Sequence, residues 1–189
     1  GQTRTSNNII AETRTGKRNN VVMAGAHLDA GDAGINDDGS GSAALLDVAL
    51  KLGGSPNVGN RVRFAWWGAE ELGLIGSTDY VRSLTFEQQL DIALYLNFDM
   101  IGSPTAGSFV YAGANSDGVG AGPGPYGSAA LEQTLAHLLR QPQGVTPRGP
   151  DFDGPSDHGP FLAVGLPSRG LSHRAAGLQT PPHPPPSRR

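Results

Sequence analysis

The chain has 189 residues, enough for one domain with a real core and not comfortably enough for two. Hydrophobic residues make up 37% and charged ones 16%, the formal charge is −3, and no apolar run approaches the ~18 residues of a membrane-spanning helix, so neither a transmembrane protein nor a nucleic-acid binder is expected. Cysteine is absent. Disulfide scaffolds, thiolate metal sites and cysteine nucleophiles are thereby excluded together, and any metal must be held by His, Asp and Glu. No basic stretch followed by an apolar one stands at Gly1, so no secretory signal is expected within this stretch.

Val21 to Ala26 is continuously apolar, as a parallel strand covered on both faces should be, and it runs into His27-Leu28-Asp29. Ser42 to Leu52 places Ala44, Leu45, Val48 and Leu52 on one face and predicts a helix. A second strand, Val62 to Trp67, ends at Gly68-Ala69-Glu70-Glu71, and a helix is predicted over Leu72 to Leu84. The third strand, Ile92 to Phe98, ends at Asp99. Beyond it, Ser103 to Pro125 reads as a Gly/Pro/Asn/Asp-rich loop holding a short strand, Ser108 to Ala112. Gly127 to Arg140 predicts a helix and Phe161 to Val164 a further strand. No acidic residue follows Gly159, and Pro181 to Pro186 has five prolines in six positions. Ser172 to Arg189 therefore reads as a disordered or non-native tail behind a domain body of residues 1–171.

Strands alternating with helices predict an α/β fold, a three-layer α/β/α sandwich around a mostly parallel mixed sheet. In such sheets ligands bind beyond the carboxyl ends of the strands. All three strands present His, Asp or Glu at that end. Taken singly these residues have ordinary explanations. His27 could be a structural histidine, Asp37-Asp38 before Gly39-Ser40-Gly41-Ser42 a helix cap, and Glu70-Glu71 a first-turn acidic pair. Gathered at one sheet edge, however, the carboxylates would repel one another unless a cation sits among them. Zinc, which accepts nitrogen and oxygen donors, is the natural resolution. One carboxylate can bridge two metal ions, and a carboxylate left unligated can act as a general base.

His27-Leu28-Asp29, Gly34 to Gly41, Phe64 to Gly73, Leu96 to Gly102 and Ser156-Asp157-His158-Gly159-Pro160-Phe161 together resemble the signature segments of the co-catalytic di-zinc aminopeptidases, the secreted bacterial leucyl aminopeptidase and aminopeptidase Y type. The resemblance runs from about Asn8, whose Asn8-Ile9-Ile10-Ala11-Glu12 resembles the strand before the first motif, to about Leu171. It implies a phosphorylase/hydrolase-like fold and two zinc ions. His27 and Asp99 would bind the first zinc, Asp37 would bridge, and Glu71 would bind the second. Asp29 would orient the His27 imidazole through its carboxylate, and Glu70 would be the general base. A cis peptide at Asp37-Asp38 is also implied. The implied reaction is removal of N-terminal residues from peptides by a metal-bound hydroxide, in a secreted or envelope-located monomer. Peptides with a free N-terminus are the implied partners.

The chain departs from that family in lacking the Tyr-His motif that carries the remaining zinc ligand, so the second zinc site is expected to be weak or vacant. His158 matches a pocket residue of the family rather than a ligand, and Pro155 stands where relatives commonly carry arginine. With a family-like body and a basic, proline-rich end, the chain reads as a truncated or frameshifted catalytic domain. Competing readings are a catalytically silent relative that only binds, and a different reaction such as aminoacyl transfer on the same metal site. Retention of Glu70 beside Glu71 favours the peptidase. A serine hydrolase lacks support because no G-x-S-x-G is present, and adjacent glutamates cannot flank a glycosidic bond at the required separation.

Overall fold

In the computed structural model, which describes residues 3–103, 106–110, 124–143 and 156–175, the apolar run at Val21 becomes the inner part of a six-stranded mixed sheet. Its strands are β1 (Ile9–Glu12), β2 (Lys17–His27), β3 (Asn60–Trp67), β4 (Ile92–Phe98), β5 (Ala106–Val110) and β6 (Ser168–Ala175), in the order β1-β3-β2-β4-β6-β5. β2 pairs in parallel with β3 and β4, and β4 with β6, whereas the edge strands β1 and β5 run antiparallel to their neighbours. The helices are α1 (Gly39–Leu52), α2 (Ile75–Ser83), α3 (Phe86–Leu90), α4 (Ser128–Gln143) and α5 (Gly159–Ala163).

Successive strand residues face opposite sides, so the sheet builds two cores. On one side Met23, Ala65, Trp67 and Tyr95 pack with Val81 of α2 and Phe161 of α5. On the other, Ala24, Ala26, Phe64 and Trp66 pack with Leu45 of α1. The first core is aromatic: Tyr95 and Phe161 stack with ring centroids 4.0 Å apart, and Trp67 tilts against Tyr80 at 5.1 Å and Phe161 at 6.1 Å. Gly25 makes this possible, because a β-carbon there would lie 2.7 Å from Trp67 Nε1 and collide with the Tyr95 hydroxyl.

The α/β sandwich with a mixed, largely parallel sheet is the architecture expected from the sequence, with particular differences. Phe161 to Val164 is not a strand: residues 159–163 form α5, which buries Phe161 and leaves Val164 41% exposed. A four-residue apolar run has no period of its own, and Pro160 in the first helical turn decides the matter. α1 starts at Gly39, earlier than Ser42, because the Asp38 side chain caps it by accepting from Gly41 N–H. α2 starts at Ile75 rather than Leu72. Residues 69–74 instead form a tight turn in which Gly73 and Leu74 N–H donate to the Glu70 carbonyl and Leu74 takes the left-handed φ of 59°. The strand expected over Ser108 to Ala112 overlaps β5, and residues 111–112 lie outside the described residues. Residues 172–175, assigned to the tail by composition, are paired backbone of β6. A ladder requires only N–H and C=O groups, and β5 supplies them. The remainder of that stretch, 176–189, lies outside the described residues. No helix among the described residues is long and apolar enough to cross a membrane.

Candidate metal centre

Register brings the expected residues together. Gly25 lies opposite both Ala65 and Asn97, and His27 opposite Trp67, so His27, the Gly68–Glu71 turn and Asp99 all emerge at the carboxyl edge of three adjacent parallel strands. His27 is 1% exposed. Its Nε2 lies 3.0 Å from Asp37 Oδ1 and 3.7 Å from Asp99 Oδ1. On the other side of the ring, Nδ1 is 2.9 Å from the Asp29 backbone carbonyl, which can only accept, so Nδ1 carries the proton and Nε2 faces the two carboxylates.

The carboxylate of Asp29 does something other than expected. It sits 3.7 Å from His27 Nδ1, and instead Oδ1 accepts from Glu70 N–H at 2.9 Å and Oδ2 from Glu71 N–H at 3.1 Å. Asp29 thus holds the imidazole by its main chain and the two-glutamate turn by its side chain. Within that turn Ala69 has φ 60°. Glu71 Oε1 accepts from Gly31 N–H at 2.7 Å across the loop that follows β2, while Glu70 is half-buried over the His27 side.

Asp99 is anchored by a hydrogen-bond chain that begins in the aromatic core. Trp67 Nε1 donates to the Tyr95 hydroxyl, Tyr95 to Asn97 Oδ1, Asn97 Nδ2 to Ser156 Oγ, and Ser156 to Asp99 Oδ2, each at 2.8 Å. The other oxygen, Asp99 Oδ1, is buried and has no hydrogen-bond partner among the described residues. A buried carboxylate oxygen aimed at an imidazole nitrogen and a second carboxylate is what a cation site leaves when only protein atoms are counted. His27, Asp38 and Asp99 each place one ligand-type atom within 4.8 Å of the others. Asp38 differs from its neighbours in that both its oxygens already accept backbone N–H bonds, one on Oδ2 and two on Oδ1. His27 Nε2, Asp37 and Asp99 offer donor types that zinc accepts, and Glu71 lies close enough to be among the causes that raise Asp37. The Asp37-Asp38 peptide is cis, as the resemblance implied.

The electrostatics describe a crowd of acids. Burial pushes Glu70 up to about 8, with the charges of Asp157, Asp99 and Glu71 adding to it against His27. Burial likewise raises Asp37, helped by Asp99, and carries Asp38 and Asp157 up to about 7. For His27 burial works against the charged ring, but the neighbouring Asp99 carboxylate and the charges of Asp38 and Glu70 outweigh it and raise the imidazole to about 10. Asp99 is lowered: burial opposes its charge, while the nearby His27 ring and the hydrogen bond from Ser156 prevail. His158 is fully buried at the start of α5, with burial and the charge of Arg169 lowering it to about 4.

These shifts fix a sign. Carboxyls raised from about 4 to 7 or 8 lose a proton more readily in the unfolded chain, so they weaken the fold progressively as pH rises from about 4 to 8. His27, raised to about 10, stabilises fully below pH ~6.5 and ceases to do so as pH passes 10. Both act in the same direction. The melting temperature of the protein in chelator is expected to fall on going from pH 5 to pH 9, and added zinc to oppose the fall by replacing protons among the carboxylates. A flat or rising profile in chelator would refute the crowding.

Asn97, Tyr95 and Trp67 were not singled out as site residues from the sequence. An asparagine inside the apolar run Leu94-Tyr95-Leu96-Asn97-Phe98 was the available signal, because a fully buried amide needs partners.

Fold and cluster together define an α/β protein with a metal-binding edge on its parallel strands. The sequence model of Peptidase family M28 matches residues 8–184, and the chain belongs to that family. It is 53% identical over 169 residues to a probable lipoprotein aminopeptidase, LpqL, of Mycobacterium tuberculosis, with 87% of this chain and 34% of that protein covered. It is 51% identical over 176 residues to an aminopeptidase of Pseudomonas aeruginosa, covering 92% of this chain and 32% of that one. Among solved structures, a zinc aminopeptidase from Bacillus subtilis superposes with a TM-score of 0.69 at 28% identity, over 89% of this chain and 40% of the other. The chain thus spans about a third of the length of these curated relatives.

Proposed function

We propose that this chain carries the catalytic edge of a zinc aminopeptidase that removes N-terminal residues from peptides. The observation that carries the reading is His27 Nε2 flanked by Asp37 Oδ1 at 3.0 Å and by Asp99 Oδ1, which is buried without a hydrogen bond among the described residues. His27, Asp37 and Asp99 would hold the first zinc, and Glu71 with Asp37 a second one, which we expect to be weak. Zinc bound there supplies Lewis acidity, polarising a carbonyl and making water more acidic. Glu70, on a turn clamped by Asp29 and with its carboxyl raised to about 8, takes the proton from the attacking water and passes it to the leaving amine. Asp29 keeps the imidazole in the tautomer that leaves Nε2 free to bind. Its similarity to aminopeptidases, a probable lipoprotein aminopeptidase among them, supports peptide substrates and an envelope or extracellular setting.

The test is zinc content together with hydrolysis of leucine p-nitroanilide by the purified chain. Close to one tightly held zinc, activity lost in chelator and activity restored by zinc are expected. Chelator-insensitive hydrolysis would overturn the metal assignment, and two tightly held zinc ions would overturn the weak second site.

A further inference from the structure

Asp38 is 2% exposed and sits between the ligand-bearing segments. Its Oδ2 accepts from His27 N–H at 3.0 Å, and its Oδ1 accepts from Gly41 N–H and from Met100 N–H, both at 3.1 Å. These donors belong to the last residue of β2, the first turn of α1 and the turn after β4. Two of the donors are, or directly follow, residues assigned to zinc, His27 itself and Met100 after Asp99, and Asp38 itself directly follows Asp37. Met100 has φ 54°, a conformation that L side chains rarely adopt and that its N–H bond to Asp38 accompanies. Gly41 closes the arrangement, since a β-carbon there would collide with the Phe98 carbonyl and the Asp38 carboxylate.

An ordinary helix cap needs one acceptor for one N–H. Asp38 has further partners outside the helix, all of them backbone donors, so only a group with two acceptor oxygens can serve them together. We propose that Asp38 is a positioning residue for the metal centre: through these N–H bonds it sets where His27, Asp37 and Asp99 stand relative to one another, and it is not itself a ligand. This rests on the zinc reading above and adds a residue to it. Its proximity to His27 and Asp99 makes direct ligation the competing view, and its oxygens are already committed to N–H groups.

Two substitutions separate capping from positioning. Asp38→Ser keeps a hydroxyl that can cap α1 through Gly41 while releasing His27 and Met100, and Asp38→Asn keeps the shape but turns an NH2 towards a backbone N–H. Circular dichroism reports folding, zinc affinity is read by competition with a chelating dye, and the absorption spectrum of the cobalt(II)-loaded chain reports the ligand set, with Asp37→Asn as the comparison. Expected are folded Asp38 variants whose zinc affinity is about 10- to 100-fold weaker, with a cobalt spectrum that still shows the wild-type number of ligands. Unchanged zinc affinity would overturn the proposal. So would a cobalt spectrum that loses a ligand as Asp37→Asn does, because Asp38 would then bind metal directly. Should the wild-type chain bind no zinc, the zinc reading fails by itself, and amide hydrogen exchange in the metal-free protein still decides the matter. Protection of the His27 and Met100 amides lost in Asp38→Ser supports positioning, and protection retained refutes it.

Discussion

Replacing Glu70 by glutamine is expected to lower kcat by about 10²- to 10⁴-fold while leaving zinc content unchanged, the range that loss of a positioned general base produces. Glutamine has the shape of glutamate, and the turn that carries it is held by backbone bonds to Asp29 that do not involve the side chain. The amide cannot accept the proton of an attacking water. Glu71→Gln is the control, because Glu71 is held across the following loop by Gly31 and is assigned to metal rather than to proton transfer. Its loss should appear in binding of the second, weaker zinc when zinc is titrated in, with the tightly held zinc unchanged. Steady-state hydrolysis of leucine p-nitroanilide with zinc content measured on the same samples checks both. A kcat for Glu70→Gln within about threefold of wild type would remove the base from Glu70.

Trp67→Ala is expected to cost about 3–5 kcal/mol, a large part of the 5–15 kcal/mol that holds an ordinary domain together. Trp67 is 0% exposed and packs against Tyr80, Tyr95 and Phe161, so truncation opens a cavity under the sheet that the stacked rings cannot fill without breaking their own contact. Its Nε1 also heads the chain of hydrogen bonds that reaches Asp99 through Tyr95, Asn97 and Ser156. Trp67→Phe retains most of the apolar volume and loses that donor, so it should cost about 1–3 kcal/mol. Urea unfolding followed by circular dichroism measures both. A midpoint for Trp67→Ala equivalent to less than about 1 kcal/mol would show that the core collapses around the gap.

Much of this was legible in the sequence because the determinants are local. A strand buried on both faces must be apolar throughout, so Val21 to Ala26, Val62 to Trp67 and Ile92 to Phe98 declared themselves, and each ran into its charged terminus. His27, Glu70, Glu71 and Asp99 stand at or just past those strand ends and Asp37 just before α1, while the roles proposed for them rest on the resemblance of their segments to the aminopeptidase motifs. Short segments whose state depends on neighbours were misread. Phe161 is helical because it fills the space beside Tyr95, and residues 172–175 are strand because β5 is there to pair with them.

By itself, then, the sequence determined the class of fold, the residue types able to hold a metal and the absence of a thiolate alternative. All of these depend on composition, period and order along the chain. Only the tertiary structure decided which atom of each residue does what. Asp29 serves the imidazole with its carbonyl and the glutamate turn with its carboxylate, and Asp38 looks like a helix cap until His27 and Met100 arrive from distant strands. A side chain's partners are set by which strand ends the sheet brings side by side. That is a property of register between segments tens of residues apart, and no local pattern in the chain records it.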